Sequence, residues 1–146
     1  MSTLVLGLGS GLEFATIGPV NHRIALAWAG SLGASGVVLG ALGAHPLKGA
    51  LDAAGTRGAW ETAVMFQLVH AAALLGFAGW LRAAPAPAGP RAAWAVRLMV
   101  LGTLLFSGSL YGVAFGGPRW LGPATPLGGL ALIAAWALAA LAALAS

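Results

Sequence analysis

Four long stretches of the chain contain no charged side chain, and each has at least 20 residues. About 20 apolar residues in a helix cross the roughly 30 Å of hydrocarbon in a bilayer, so every stretch is long enough to span one. Thr125 and Pro126 are typical of an N-cap and a first helical residue, which sets the start of the last helix. The pattern predicts four transmembrane helices, over about residues 24–44, 60–81, 93–115 and 126–145.

The composition excludes the usual soluble classes of protein. Of the 146 residues, 60% are hydrophobic and 7% are charged, whereas a soluble domain carries about 25% charged residues. The seven lysines and arginines are spread singly along the chain, which argues against binding to nucleic acid, because that requires a basic cluster. The chain has no cysteine, so thiolate chemistry and disulfides are excluded. The partner that this composition predicts is the lipid bilayer.

Uninterrupted apolar runs of this length fit helices rather than the strands of a membrane barrel, which alternate over about ten residues. The sequence therefore predicts an all-α integral membrane protein, a four-helix transmembrane bundle. We expect residues 1–23 to form an interfacial or poorly ordered leader before a single four-span domain over 24–146. In the first loop, Leu47, Leu51 and Ala54 recur at helical spacing between charged residues, which predicts a short amphipathic helix in the membrane interface.

Glycines recur on two of the predicted helices at spacings of three and four residues, which place them on one face. Each pattern includes a GxxxG step, the spacing at which membrane helices pack closely. The faces predict packing between helices of one chain or between copies of the chain, and the spacing does not separate the two. The residues are Gly33, Gly36, Gly40 and Gly43 in the first helix, and Gly108 and Gly112 in the third.

Polar side chains at membrane depth are the candidate functional residues. Gln67 and His70 are three residues apart and share a face of the second helix. Thr103, Ser107 and Tyr111 are each four apart and form a polar ridge on the third, antiparallel helix. Because an unsatisfied polar group in hydrocarbon costs several kcal/mol, we predict a buried contact between this face and the ridge. Its role stays open among helix pinning by hydrogen bonds, a pathway for protons or a polar solute, and ligand binding.

Further polar and aromatic residues fall near the predicted helix ends, where tryptophans form a belt at the membrane surface. This interfacial group consists of His45, Lys48, Trp60, Glu61 and Arg119. His45 ends the first helix and His70 lies about 12 Å deeper, at 1.5 Å per residue, so the two cannot share a haem iron. No spacing of side chains matches a metal site, and we predict neither a metal nor a cofactor.

The basic residues predict the orientation in the membrane. With four spans, both termini share a side with the loop between the second and third helices. Since cytoplasmic segments are richer in lysine and arginine, the side with more of them is predicted to be cytoplasmic, and both termini with it. That side carries Arg23, Arg82, Arg91 and Arg97, and the other carries Lys48, Arg57 and Arg119.

Several longer motifs point to a family. They are GALGAHPLK from Gly40, WETAVMFQLVHA from Trp60, FSGSLY from Phe106 and RWLGPATPLGG from Arg119. With these motifs the chain resembles, over about residues 28–145, the YgdD/YwdK-like family of small bacterial inner-membrane proteins, domain of unknown function 423. The resemblance implies four spans with a helical first loop, and it implies no reaction. Any function shared with the family would fall on the motif residues.

No catalytic constellation is evident in the sequence. A His70–Ser107 dyad would lack an acid to orient the imidazole and donors to stabilise an oxyanion. We therefore expect a protein that is not an enzyme, a structural or accessory subunit that meets other membrane subunits, or a second copy, through its glycine faces. The alternative is a pore or carrier for protons or a small polar solute that uses His70 and Gln67.

Overall fold

The computed structural model describes residues 20–83, 89–118 and 121–144, which contain five helices and no strand. Four of the helices are long and apolar enough to cross a membrane, which confirms the all-α, four-span prediction. The predicted leader lies outside the described residues as far as position 19. The helices are α1 (His22–Ala44), α2 (Lys48–Ala53), α3 (Arg57–Ala83), α4 (Pro90–Ala114) and α5 (Leu121–Ala143).

Local signals explain where the first helices begin. Helix α1 begins two residues before the predicted start, because the side-chain oxygen of Asn21 accepts a hydrogen bond of 3.1 Å from the backbone N–H of Ile24 and caps the helix. Helix α4 begins at Pro90, whose ring suits the first helical position. The short helix α2 confirms the amphipathic helix of the first loop, since its Leu51 is buried and its Lys48 is exposed.

The last helix differs from the prediction at its start. The sequence predicts Pro126 as the first helical residue, but α5 begins at Leu121 and Pro126 lies inside it. Pro123 explains the earlier start, because backbone N–H groups in the first turn of a helix have no partner and a proline there removes no hydrogen bond. Thr125 is therefore not an N-cap. It faces α4, where its hydroxyl lies 2.6 Å from that of Ser109.

The long helices pack in chain order, α1 on α3, α3 on α4 and α4 on α5, and the last pairing is the most extensive. Helix α4 is accordingly the most buried of the four, whereas α1 and α5 are largely exposed. Their outward side chains are large and apolar, such as Val37 on α1 and Ile133 on α5, which are 63% and 67% exposed. A surface of this kind belongs in lipid rather than in water.

All four long helices contribute to one apolar core. Leu32 of α1, Leu74 of α3, Met99 of α4 and Leu132 of α5 belong to it, and each is at most 5% exposed. Buried alanines separate these larger side chains along every helix. Small residues at the contacts let the helix backbones approach closely, which is how helices associate where the surroundings are as apolar as the core.

The glycine stripe on α1 packs within the chain, against α3. A Cβ atom built on Gly36 would lie 2.8 Å from a methyl carbon of Leu68, and one built on Gly43 would overlap the ring of Trp60. The other two glycines of the stripe also face side chains of α3. At Gly36 and Gly43 the side chains of α3 occupy the space that a Cβ would need, whereas a Cβ built on Gly40 or Gly33 would lie 3.3 or 3.9 Å from the nearest side-chain atom.

The second predicted glycine face behaves differently. Gly112 packs against the start of α5, but among the described residues nothing lies within 4 Å of a Cβ built on Gly108, which is exposed. The close approach of α4 and α5 depends instead on Gly102 and Gly128, which the spacing did not reveal. A Cβ on Gly102 would lie 3.0 Å from the carbonyl oxygen of Gly128, and one on Gly128 would overlap the backbone of Phe106.

We expect Gly128→Ala to lower the free energy of unfolding by about 1–3 kcal/mol, because the new methyl group meets the backbone of α4 rather than a flexible side chain. Gly108→Ala is the matched control. Its methyl group points into open space, and the loss of glycine flexibility raises stability by about 0.5–1 kcal/mol. Unfolding in mixed detergent micelles, followed by circular dichroism, measures both. Equal stabilities would contradict the close contact of α4 and α5.

Candidate functional site

Gln67 connects three of the long helices. Its side-chain NH2 donates to the backbone oxygen of Leu32, at 2.9 Å, and to the hydroxyl of Ser35, at 2.8 Å, both on α1. Its side-chain oxygen accepts a hydrogen bond of 2.9 Å from the hydroxyl of Tyr111 on α4. Gln67 is 5% exposed, so these bonds form out of reach of water. The contact between Gln67 and Tyr111 is the part of the predicted face-to-ridge contact that is present.

His70 bonds to α5 rather than to the hydroxyl ridge of α4. Its Nε2 accepts a hydrogen bond of 3.3 Å from the indole N–H of Trp136. An indole nitrogen can only donate, so the ring proton of a neutral imidazole lies on Nδ1, which donates to the backbone oxygen of Phe66 at 2.7 Å. His70 is 5% exposed. Both ring nitrogens are therefore engaged in hydrogen bonds within the chain.

The other two residues of the ridge make no bond to the face of α3 that carries Gln67 and His70. Thr103 is fully buried, and its hydroxyl donates to the backbone oxygen of Met99 in the preceding turn of α4, at 2.7 Å. Ser107 is 2% exposed, and its hydroxyl has no hydrogen-bond partner among the described residues. A hydroxyl can donate to a backbone oxygen of its own helix, as that of Thr103 does, or to a neighbouring helix. The spacing along the chain does not show which of the two bonds it makes.

Trp60, near the start of α3, is a core residue. It is 2% exposed, and its indole N–H donates to the backbone oxygen of Leu39 on α1, at 3.0 Å. Tyr111 and Phe115 meet its ring edge-on, with centroids 4.7 and 5.4 Å away. Leu51 of α2 completes this cluster. Trp60 lies in the first turn of α3, so its interfacial depth stays a prediction, and Leu51 of α2 packs with it inside the bundle.

The charged residues beside α2 pair with one another. The guanidinium of Arg57 lies 2.8 Å from the carboxylate of Glu61, one turn further along α3, and 3.3 Å from that of Asp52 on α2. All three side chains are at least 40% exposed, so solvent screens both pairs and they contribute little to stability. Their main effect is to neutralise the basic charge of Arg57 at this end of the bundle.

The remaining members of the predicted interfacial group have separate locations. His45 follows α1 directly, Lys48 begins α2, and both are exposed at the same end of the bundle as Glu61. Arg119 lies outside the described residues. Of the candidate residues that the structure describes, those with a hydrogen bond to another helix are Trp60, Gln67, His70 and Tyr111.

Sequence reasoning missed two partners in these contacts, Ser35 and Trp136. No spacing connects Ser35 with Gln67, because the two residues lie on different helices. For Trp136, its position in the sequence does indicate a polar contact inside the protein. It lies in the middle of a transmembrane helix, away from any surface belt, where its indole N–H needs an acceptor inside the protein.

Comparison with known families identifies the chain. A family model described as a protein of unknown function, DUF423, matches residues 39–129. The chain belongs to the DUF423 family. This confirms the resemblance drawn from the motifs. The DUF423 match includes Trp60, Gln67 and Tyr111, whereas Ser35 and Trp136 lie outside it.

Several DUF423 relatives cover most of the chain. The inner membrane protein YgdD of Escherichia coli is 36% identical over 127 residues, 82% of this chain and 88% of YgdD. The membrane protein YwdK of Bacillus subtilis is 35% identical over 132 residues, 89% of this chain and 94% of YwdK. A membrane protein of Staphylococcus haemolyticus is 39% identical over 97 residues, 66% of this chain and 75% of its own length. No solved structure matches. With its four apolar helices, this DUF423 chain is a multi-pass membrane protein.

A double-mutant cycle on Gln67 and Tyr111 tests the central contact. We expect Tyr111→Phe to lower the free energy of unfolding by about 1–3 kcal/mol, because the amide oxygen of Gln67 loses its donor. The coupling between Gln67→Leu and Tyr111→Phe should be about 0.6 kcal/mol and no more than about 1.7, the range found for such bonds in membranes. Denaturation in mixed micelles provides the four stabilities.

Ser107→Ala is the matched control for this cycle. Its hydroxyl lies on the same ridge as Tyr111 and has no partner among the described residues. Its removal should therefore leave stability unchanged or raise it, and its coupling with Gln67→Leu should be near zero. A coupling for Tyr111 no larger than that for Ser107 would contradict the assignment of Gln67 as the link between the helices.

Proposed function

We propose that this DUF423 protein is a non-enzymatic structural or accessory subunit of a larger complex in the bacterial inner membrane. The observation that carries the proposal is the engagement of Gln67 and His70 with α1, α4 and α5. Hydrogen bonds of this kind hold membrane helices together. Both ring nitrogens of His70 take part in bonds within the chain, to Phe66 and Trp136, which supports a structural rather than a catalytic use of the ring.

The outer surface of α4 offers a place for another subunit. Gly108 is exposed there, in the half of α4 that ends at Ala114, and the position of its Cβ is open. Leu101, Leu104 and Leu105 beside it are 50%, 46% and 36% exposed. A glycine among apolar side chains lets the backbone of a second helix approach closely. We assign this surface, the Gly108 face, to the contact with the larger complex.

A pore or carrier for protons or a small polar solute is the second candidate function, and one observation favours it. The hydroxyl of Ser107 is buried, one turn from Tyr111, and has no partner among the described residues. A buried polar atom of this kind can take a water molecule or a passing solute as its partner. The engagement of His70 and Gln67 in bonds between helices argues against such a path.

We also propose that both termini are cytoplasmic. The end of the bundle at which α3 ends and α4 begins carries Arg82 and Arg91, and α1 begins at that same end with Arg23. At the opposite end, Arg57 is paired with the carboxylates of Asp52 and Glu61. The first end therefore carries more arginines, which supports a cytoplasmic location for it.

Purification in mild detergent tests the accessory role. The tagged full chain should retain another membrane polypeptide, identified by mass spectrometry, and Gly108→Leu should lose most of it because the leucine fills the Gly108 face. Gly30→Leu is the matched control, since Gly30 is equally exposed and open but lies on α1. A chain that elutes alone, or a partner retained equally by both variants, would contradict the proposal.

Proton flux into proteoliposomes separates the two candidate functions. An accessory subunit should give the flux of empty liposomes, and His70→Leu should leave it unchanged. A flux that the unmodified chain carries and His70→Leu abolishes would establish the pore and reject the accessory role.

Reporter fusions test the orientation. Alkaline phosphatase, whose disulfides form only in the periplasm, should be inactive when fused after the last residue and active when fused in the first loop after Ala54. A green fluorescent protein fused at the same two positions should show the reverse pattern. Active phosphatase at the C-terminus would mean that the arginine-rich end is periplasmic.

A further inference from the structure

An apolar cavity of about 310 Å³ lies between α3 and α5. Gly76, Phe77 and Trp80 of α3 line one side of it, and Trp136 and Ala139 of α5 line the other. The cavity is open rather than enclosed, on helices whose outward surface faces lipid. Its occupant therefore comes from the membrane.

The apolar and aromatic lining of the cavity indicates which type of molecule it can bind. Of the residues of α5 that line the cavity, Trp136 lies deepest in the membrane, and its indole N–H already donates to His70. The deep part of the cavity therefore offers contact with hydrocarbon and suits an alkyl chain. Trp80 lies one turn from the end of α3, at the level where tryptophans meet the polar part of a lipid.

The cavity lies in one half of the bilayer. Helices α3 and α5 cross the membrane in the same direction, and the lining residues all come from the second half of each helix. The cavity is therefore nearest to the end of the bundle at which α3 ends and α4 begins. An alkyl chain that occupies it belongs to a lipid of that leaflet.

The same end of the bundle is basic. In residues 20–83, 89–118 and 121–144, the acidic side chains are Asp52 and Glu61, and both lie at the opposite end. Arg97, further along α4, lies with its guanidinium 5.3 Å from the centre of the Trp94 ring, an arrangement that holds the charge near the surface. Basic groups at a membrane surface attract anionic lipid head groups. The arginines of this end are Arg23, Arg82, Arg91 and Arg97.

We propose that the cavity between α3 and α5 binds one acyl chain of an anionic phospholipid, whose head group lies against the arginines of the same leaflet. The apolar depth of the cavity fits the chain, and the charge of this end selects a negative head group over a zwitterionic one. The site does not depend on the accessory role proposed above. It requires only the cavity and the arginines.

Native mass spectrometry of the full chain tests this site. The chain is reconstituted in vesicles of equal parts dioleoyl phosphatidylglycerol and dioleoyl phosphatidylcholine, extracted in mild detergent, and the retained lipid is identified by mass. We expect one retained phosphatidylglycerol. Arg82→Gln should reduce the preference for phosphatidylglycerol about fivefold, since a basic residue near the surface contributes about 1 kcal/mol to such attraction. Lys48→Gln, which removes a positive charge from the opposite end, should not change it.

A second pair of variants tests the cavity itself. Gly76→Ile fills the cavity and should lose most of the retained lipid. Gly79→Ile is the matched control, because both glycines have open space at the Cβ position and lie on α3, but Gly79 does not line the cavity. Helical circular dichroism verifies that each variant is folded. If Gly76→Ile does not fold, the smaller replacement Gly76→Val is compared with Gly79→Val in the same way.

Three results would overturn the proposal. Equal retention of the two lipids by the unmodified chain would remove the role of the arginines. Equal retention by folded Gly76→Ile and Gly79→Ile would place the lipid elsewhere on the surface. A polypeptide retained in place of the lipid, and lost in Gly76→Ile, would make the cavity a docking site for a protein helix.

Discussion

A polar group that enters hydrocarbon must find its partner inside the protein, and Gln67 shows how this chain meets that constraint. Its amide bonds to a backbone oxygen and a hydroxyl of α1 and accepts from Tyr111 of α4. In water, solvent molecules would compete for each of these hydrogen-bonding groups. In lipid, only other polar groups within the membrane can replace the partner. Through this one side chain, α3 is bonded to both α1 and α4.

Close approach of the helices makes such bonds possible. Side chains of α3 fill the space above the glycine stripe of α1, and Gly43 leaves room for Trp60 to reach the backbone oxygen of Leu39. Gly102 and Gly128 bring α4 and α5 together, so that Trp136 of α5 comes within reach of His70. Glycines and polar groups therefore act together, because a short hydrogen bond between helices requires a short distance between their backbones.

Much of the fold, and half of the candidate site, could be predicted from patterns within single helices. Charge-free length predicted the four spans, and the four-residue spacing of the ridge predicted Tyr111 as a residue that meets the face of Gln67. The partner of His70 was not predictable in the same way. Whether a hydroxyl such as that of Thr103 bonds across the interface or to its own helix depends on how the neighbouring helix is rotated, and no spacing along the chain records that rotation.

The sequence by itself determined that this protein is a membrane protein, how many helices cross the membrane, and to which family the chain belongs. The length of the apolar runs, the distribution of charge and the motifs are all properties of the chain. Only the tertiary structure decided that Trp60 is buried under α2, that Gly108 faces outward while Gly128 packs inward, and that a cavity opens between α3 and α5. The physical reason is that lipid solvates every apolar helix face equally well, so hydrophobicity alone does not select the face that turns inward. Which face turns inward depends on how one helix packs on the next, and the sequence of a single helix does not contain that information.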